Sequence, residues 1–245
     1  MDFIQGEVIY IDKPLTWTSF QVVAKVRYQL SRLLGVKKLK VGHAGTLDPL
    51  ATGVVILCTG KATKRIDELQ AHTKEYVAML KLGATTPSFD LEKEIDATYP
   101  TEHITRELVL QVLEQFRGTI QQVPPVFSAV KVDGKRAYKL ARKGEEPELK
   151  AKTLVIDEIE LLNFDAANME AEIRVVCSKG TYIRALARDI GKALNSGAHL
   201  IALRRTRVGD VKVEDCLKME EVDEWLKRGL CVSTTGAEGD RSLTC

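Results

Sequence analysis

The chain is predicted to fold as an α+β protein around a mixed, largely antiparallel central sheet with flanking helices. Three observations predict this class. Segments with strand patterning outnumber segments with helical periodicity. The two kinds are mixed along the chain rather than grouped. With 245 residues and 44% hydrophobic content, the chain can bury a large core as one domain, or as one domain and a fragment.

In chain order, Glu7 to Ile11 reads as a short strand ended by Asp12-Lys13-Pro14. Thr18 or Ser19 is placed to cap a helix whose apolar positions Val22, Val23, Val26, Leu30, Leu33 and Leu34 follow a period near 3.6, with Gly35 as its stop. Lys38 to Val41 leads into a glycine-bearing loop. Gly53 to Thr59 is a continuous apolar strand of the fully buried kind. Lys61 to Leu69 reads as helical, and Tyr76 to Leu82 alternates as a strand stopped by Gly83. Residues 84–100 read as polar and irregular. Thr105 caps a helix through Phe116, and Val123-Pro124-Pro125 breaks the chain. Phe127 to Val132 with Asp133-Gly134 suggests a strand entering a tight turn, followed by a short basic helix from Ala137 to Lys143. Leu154 to Leu162 and Met169 to Cys177 are two strands. Thr181 to Leu194 is a helix, and His199 to Val208 returns as a strand. From about residue 210 the composition turns acidic. Met219 to Arg228 fits one short helix, and Ser233 to Cys245 reads as disordered.

Several function classes are disfavoured. The longest apolar run, Val54 to Cys58, is strand-sized, so no membrane span is expected. The start MDFIQGEVIYIDKP has no basic region followed by a long apolar stretch, so no secretory signal is expected and a cytoplasmic location is. Five cysteines at irregular spacing form no C-x-x-C pair, and the four histidines never approach ligand spacing, so neither a metal nor a disulfide framework is expected. Gly60-Lys61 fails as a phosphate loop twice, because residue 55 is Val and the hydroxyl position is Ala62.

The net charge of +2 conceals segregation. Seven Lys and Arg residues lie between Lys13 and Lys40 with no acid among them; residues 173–209 hold eight basic residues against Asp189 alone. Either segment by itself suits a solvated helix face. Together, each beside a glycine-bearing motif, they suit a polyanion such as RNA or DNA.

Asp48 is the one acid between Asp12 and Asp67, in the loop Gly42-His43-Ala44-Gly45-Thr46-Leu47-Asp48-Pro49. An Asp before Pro is a common turn former. Its small neighbours and positive surroundings fit a second role, an ionised carboxylate that a planar substrate can reach. A second motif, Cys177-Ser178-Lys179-Gly180-Thr181-Tyr182-Ile183-Arg184, sits at a strand-to-helix junction where Thr181 can cap. Tyr182 either packs or stacks on a ligand; Arg184 is either solvated or paired with a buried carboxylate. Tyr76 is by default a half-buried strand residue. The basic, aromatic-interleaved segment 124–147 suits an RNA-gripping loop or an ordinary hairpin and helix.

These pieces together resemble the bacterial tRNA pseudouridine synthases of the TruB type, which isomerise uridine 55 in the T-loop. The resemblance rests on Asp12-Lys13-Pro14, GHAGTLDPLATGVVILCTGKATK (42–64), KEYVAMLKLGATT (74–86), PPVFSAVKVDGKRAYKLARKGEE (124–146) and SKGTYIRALARDIG (178–191), in family order over residues 7–209. It implies the pseudouridine synthase fold for residues 1–209, with 124–147 as a mobile RNA-gripping insertion. It also implies a catalytic role for Asp48, base stacking for Tyr76, and an active-site tyrosine at Tyr182. By the same resemblance Arg184 pairs with the catalytic carboxylate, His43 helps hold the T-loop with its target flipped, and Leu203 contacts the uracil pocket. Lys13 and Lys64 match basic residues around the site. The expected partner is the T-arm of tRNA, bound by a monomer without cofactor, metal or protein partner. Asp48 attacks the ribose, attacks the ring, or acts first as a base; the residues leave these open. Many members carry a C-terminal PUA domain, for which the acidic tail 210–245 is too short, and part of that tail is expected to be disordered. Two other classes stand beside this reading: an RNA-binding folding factor, and a nucleotide-dependent enzyme disfavoured by the failed phosphate loop.

Overall fold

The structure, a computed structural model, describes residues 1–128, 130–132, 135–137, 140 and 147–231. Its strands are β1 (Val8–Lys13), β2 (Val41–His43), β3 (Ala51–Thr59), β4 (Lys74–Leu82), β5 (Ala84–Thr85), β6 (Ala97–Thr98) and β7 (Gly118–Gln122). They continue as β8 (Lys131–Val132), β9 (Lys135–Arg136), β10 (Lys152–Asp165), β11 (Glu170–Cys177), β12 (Ala198–Val208), β13 (Val211–Lys212) and β14 (Leu217–Lys218). The helices are α1 (Ser19–Leu34), α2 (Ile66–Ala71), α3 (Arg106–Glu114), α4 (Ile183–Ala193) and α5 (Val222–Cys231). Two compact units result: residues 1–70 with 211 onward, and residues 71–210.

In the first unit β3 is the buried strand that the apolar run predicts. It pairs antiparallel with β1, from Val8↔Cys58 to Lys13↔Gly53, and with β2, from Val41↔Thr59 to His43↔Leu57. Helix α1 begins with a full capping box: Gln21 N–H donates to the Thr18 hydroxyl (3.1 Å), and Thr18 N–H donates to Gln21 Oε1 (2.7 Å). Such a cap contributes about 1 kcal/mol. Gly35, left-handed at φ 64°, closes the helix. Lys61–Leu69, expected as one helix, is a 3-10 turn over Gly60–Arg65 followed by the short α2.

The compositional break near residue 210 does not end the folded chain. β14 pairs parallel with β1 through Ile11↔Leu217 and Asp12↔Lys218, making this sheet mixed. The Trp225 ring of α5 meets buried Phe3 edge-on at 6.1 Å, and the Met1 ammonium donates to Gly229 O at the end of α5 (3.0 Å). A cation suits a helix C-terminus. Residues 232–245 lie outside the described residues.

The second unit is an antiparallel sheet in the order β12-β4-β11-β10-β7. Helix α4 packs against β12 and β4, and α3 packs against β10. Strand β7 was not legible as a strand, because Gly118-Thr119-Ile120-Gln121-Gln122 carries one large apolar residue; pairing with β10 makes it one. Residues 84–100 are less irregular than their composition suggests. β5 pairs with β6, and Thr86, Ser88 and Asp90 are buried. β8 and β9 form the expected hairpin, whose turn residues 133–134 lie outside the described residues, as does most of the helix expected at 137–143. Among the described residues no helix is long and apolar enough to cross a membrane.

The packing of α5 and β14 onto β1 gives a testable expectation. Phe3→Ala should lower stability by about 3–5 kcal/mol. A chain ending at Asp210 should lose at least as much, read as the denaturant midpoint or Tm; an unchanged midpoint in either variant contradicts the packing described.

Candidate active site

Within the first unit, the loop that carries Asp48 is fastened on both sides of that residue. The β2–β3 ladder runs one residue past His43, because Ala44 N–H donates to Ile56 O (2.9 Å). Gly45 at φ 96° then turns the chain, and Gly53 at φ 107° stands inside β3, two residues after its start. A side chain in that backbone region would cost about 1–3 kcal/mol, which accounts for both glycines. Before Asp48, Leu47 N–H donates to the Ser19 hydroxyl (2.9 Å), and that hydroxyl donates to Leu47 O (3.2 Å). After it, Pro49 O accepts from Thr16 N–H (2.9 Å) and from Lys13 Nζ (3.5 Å). Ala51 N–H donates to the Asp48 carbonyl (3.1 Å) and starts β3. Pro49 disfavours the helical region for Asp48, so the turn has few conformations open to it. The Asp48 side chain is left half-buried.

Lys13, expected among the basic residues around the site, is 0% exposed. Its ammonium lies under the loop and donates to the carbonyls of Pro14 (3.0 Å), Trp17 (2.6 Å) and Pro49. Lys64 is exposed on the turn after β3, and His43 is half-buried at the end of β2.

In the second unit the register of β4 and β12 brings Tyr76 and Leu203 to one sheet face: Tyr76 pairs with Arg205, and Ala78 with Leu203. Tyr76 is buried and Leu203 half-buried. Lys74, two residues before Tyr76 on the same face, is buried and donates to His72 O. Burial, and after it the charge of Arg205, lowers the Lys74 ammonium to about 8.

Tyr182 and Arg184 open α4. Thr181 does not cap this helix; its hydroxyl donates to Ser178 O (3.0 Å), and Tyr182 occupies the cap position instead. The buried Gln122 side chain does the fastening. Its Oε1 accepts from Tyr182 N–H (2.9 Å), and its Nε2 donates to Tyr182 O (3.2 Å). Arg184 is 5% exposed on its side chain, and Asp90 is 8%. Arg184 Nε lies 3.6 Å from Asp90 Oδ2, while its two terminal nitrogens donate to Ser88 O (3.2 Å) and Phe127 O (3.0 Å). Asp90 is held by its own loop: its carbonyl accepts from the Thr86 and Ser88 hydroxyls, and Oδ1 accepts from Glu92 N–H. Ser19, Gln122 and Asp90 were all missed from the sequence. A buried polar residue inside a polar segment carries no local signal of burial.

The second basic segment differs from its formal charge. Arg174 is tied to Glu75, Glu158 and Glu160, Arg207 to Glu75, and Arg188 to Asp189 with its guanidinium 5.0 Å over Phe89. In the first segment Arg27, Arg32, Lys37, Lys38 and Lys40 stand exposed. Among the described residues no cluster of His, Cys, Asp and Glu could hold a metal ion.

The α+β architecture with this mixed sheet is the pseudouridine synthase fold. A crystal structure of a Cbf5-Nop10-Gar1 complex superposes with a TM-score of 0.67 at 31% identity, over 96% of this chain and 58% of that one. An H/ACA RNP bound to a substrate RNA containing 2'-deoxyuridine superposes with a TM-score of 0.65 at 29% identity, over 96% and 57%. The chain matches the TruB family pseudouridylate synthase N-terminal domain over residues 31–183 and the tRNA pseudouridylate synthase B C-terminal domain over 184–230. It is similar to the tRNA pseudouridine synthase B of Phocaeicola vulgatus, at 75% identity over 92% of this chain and 95% of the relative. It is also similar to that of Flavobacterium johnsoniae, at 52% over 92% and 98%. The chain belongs to the TruB family of pseudouridylate synthases, which are isomerases.

Two measurements check the second unit. Asp90→Ala leaves the buried Arg184 guanidinium without that carboxylate and should cost about 3–5 kcal/mol of stability, with Asp90→Asn costing less; a wild-type midpoint for Asp90→Ala contradicts the pairing. Lys74 gives a pH dependence. Its folded pKa lies below the unfolded value, so between about pH 8 and 10.5 the unfolded chain binds more protons and stability rises with pH. The Tm difference between Lys74→Met and wild type should therefore move steadily in favour of wild type from pH 7 to pH 10; a pH-independent difference contradicts the burial of the charge.

Proposed function

We propose that the protein converts uridine 55 in the T-loop of tRNA to pseudouridine, with Asp48 as the reacting carboxylate. The observation that carries this is a half-buried carboxylate on a loop bonded on both sides of it, to the buried Ser19 hydroxyl through Leu47 and to Thr16 N–H and Lys13 through Pro49 O. The choice of tRNA is supported by relatives named tRNA pseudouridine synthase B at up to 75% identity.

The reaction breaks the bond from N1 of uracil to the ribose and forms one from C5. The C5 proton is released and N1 gains one, so no oxidant or reductant is required. The target base must leave its stack, and a loop base is extruded more cheaply than a duplex base. In this reading Tyr76 stacks on the extruded uracil, and Leu203 and Tyr182 line the uracil pocket. His43 holds the opened T-loop, and segment 124–147 grips the arm. Asp48 acts as nucleophile or base. The enzyme works as a cytoplasmic monomer. Phosphates are held chiefly by the exposed cations of the first unit, Arg27, Arg32, Lys37, Lys38, Lys40 and Lys64, because the arginines of residues 173–209 are largely engaged with carboxylates.

Pseudouridine mapping of an unmodified tRNA transcript treated with the protein tests activity and position together. The expected product is pseudouridine at position 55 alone. Binding without any pseudouridine would move the protein to the folding-factor class. Asp48→Asn should keep tRNA affinity and reduce tritium release from carbon-5-labelled uridine to background; near-normal release overturns the role of Asp48. Neutralising about five phosphates predicts a slope of log K against log salt of about −3.5 to −4.5. Replacing Lys37, Lys38 and Lys40 by Gln should flatten it, and a slope near zero in the wild type contradicts the phosphate-binding face.

A further inference from the structure

Ser19 occupies the first turn of α1, where a hydroxyl commonly serves the helix end. That task is already done by its neighbour. Thr18 accepts from Gln21 N–H, and Gln21 closes the box onto Thr18 N–H. The Ser19 hydroxyl turns away from the helix and bonds both backbone groups of Leu47, 28 residues further along the chain. Ser19 is 2% exposed and Leu47 4%, so water does not replace these bonds when they are lost.

A hydroxyl is the smallest side-chain group that both donates and accepts. Here one oxygen takes the Leu47 N–H and gives its proton to the Leu47 carbonyl, which belongs to the peptide leading into Asp48. The orientation of both peptide planes around Leu47 is fixed by that single atom. The Asp48 carbonyl accepts from Ala51 N–H, and Thr16 N–H and Lys13 fix the carbonyl after it, that of Pro49. Asp48 thus sits between two pinned peptides, and Ser19 pins the first.

We propose that Ser19 is a positioning residue for Asp48, acting through the Leu47 peptide and not by touching RNA. This rests on the role of Asp48 given above. Loss of the hydroxyl loosens the direction in which the carboxylate is presented while leaving the RNA-contacting surface in place. A displacement of about 1 Å in a reacting group lowers rates by up to about 100-fold.

The test compares Ser19→Ala, Thr18→Ala and Asp48→Asn in single-turnover tritium release from labelled tRNA, with tRNA affinity and Tm measured alongside. Thr18→Ala removes the helix cap without touching Leu47 and serves as the stability-matched control. Ser19→Ala is expected to slow the chemical step about 10- to 100-fold, with tRNA Kd unchanged. Thr18→Ala is expected to lower Tm comparably and keep the wild-type rate. A wild-type rate in Ser19→Ala beside an inactive Asp48→Asn overturns the role of Ser19. An equal loss of rate in Thr18→Ala also overturns it, since the effect is then general destabilisation. If Asp48→Asn itself turns over normally, the Asp48 reading fails instead. Should Ser19→Ala not fold, Ser19→Cys, which keeps the shape and weakens both bonds, is read against the same outcomes.

Discussion

The first unit is organised around one constraint: the loop that carries Asp48 is hydrogen-bonded on both sides of that residue. Loops ordinarily lie at the low-stability end of a protein. Here the peptides around Asp48 are bonded to groups at the end of β1, in the β1–α1 connection and at the start of α1. Those groups are in turn held by the β1–β3 ladder, by the Thr18 capping box and by the apolar face of α1, with Val22, Val23, Val26 and Leu30 buried. The pairing of β14 with β1 and the seating of Phe3 against Trp225 close the opposite edge.

The second unit solves a similar problem with different means. Arg184 carries a charge into a nearly dry position, which is tolerated because Asp90 and two carbonyls receive it. Tyr182 is fixed by the Gln122 amide, which presents an acceptor and a donor side by side to one residue's backbone. In both units a buried polar side chain makes a two-way bond to the backbone at or beside a candidate site residue. This is how a fold built from ordinary strands places a few side chains within narrow limits.

Much of the frame was legible from local pattern. The buried run 53–59, the alternation from Tyr76 to Leu82, the Thr105 cap and the Gly35 stop all depend on residues within a turn or two of one another, and all appear. The Asp48 loop was legible for a related reason: glycines, a proline and a lone acid are local signals of unusual backbone. What holds the loop was not. Ser19 and Leu47 lie 28 residues apart, Gln122 and Tyr182 60 apart, and Ser88 and Arg184 96 apart. The engagement of the second basic segment with carboxylates was not legible for the same reason. Arg174 stands among cations in sequence, while in space it faces Glu75 from a strand 99 residues away. Strand β7 and the return of residues 211–231 to β1 are likewise products of pairing, with little trace in composition.

That the Asp48 loop is fixed before RNA arrives is most directly measured by amide hydrogen exchange in the RNA-free protein, resolved over residues 44–51. The amides of Ala44, Leu47 and Ala51 each have a backbone or buried hydroxyl acceptor. They should exchange as slowly as the amides of β3, through opening of the whole unit. Exchange at the rate of an open surface loop would contradict the account, because the direction of the Asp48 carboxylate would then be set by the substrate and not by the fold.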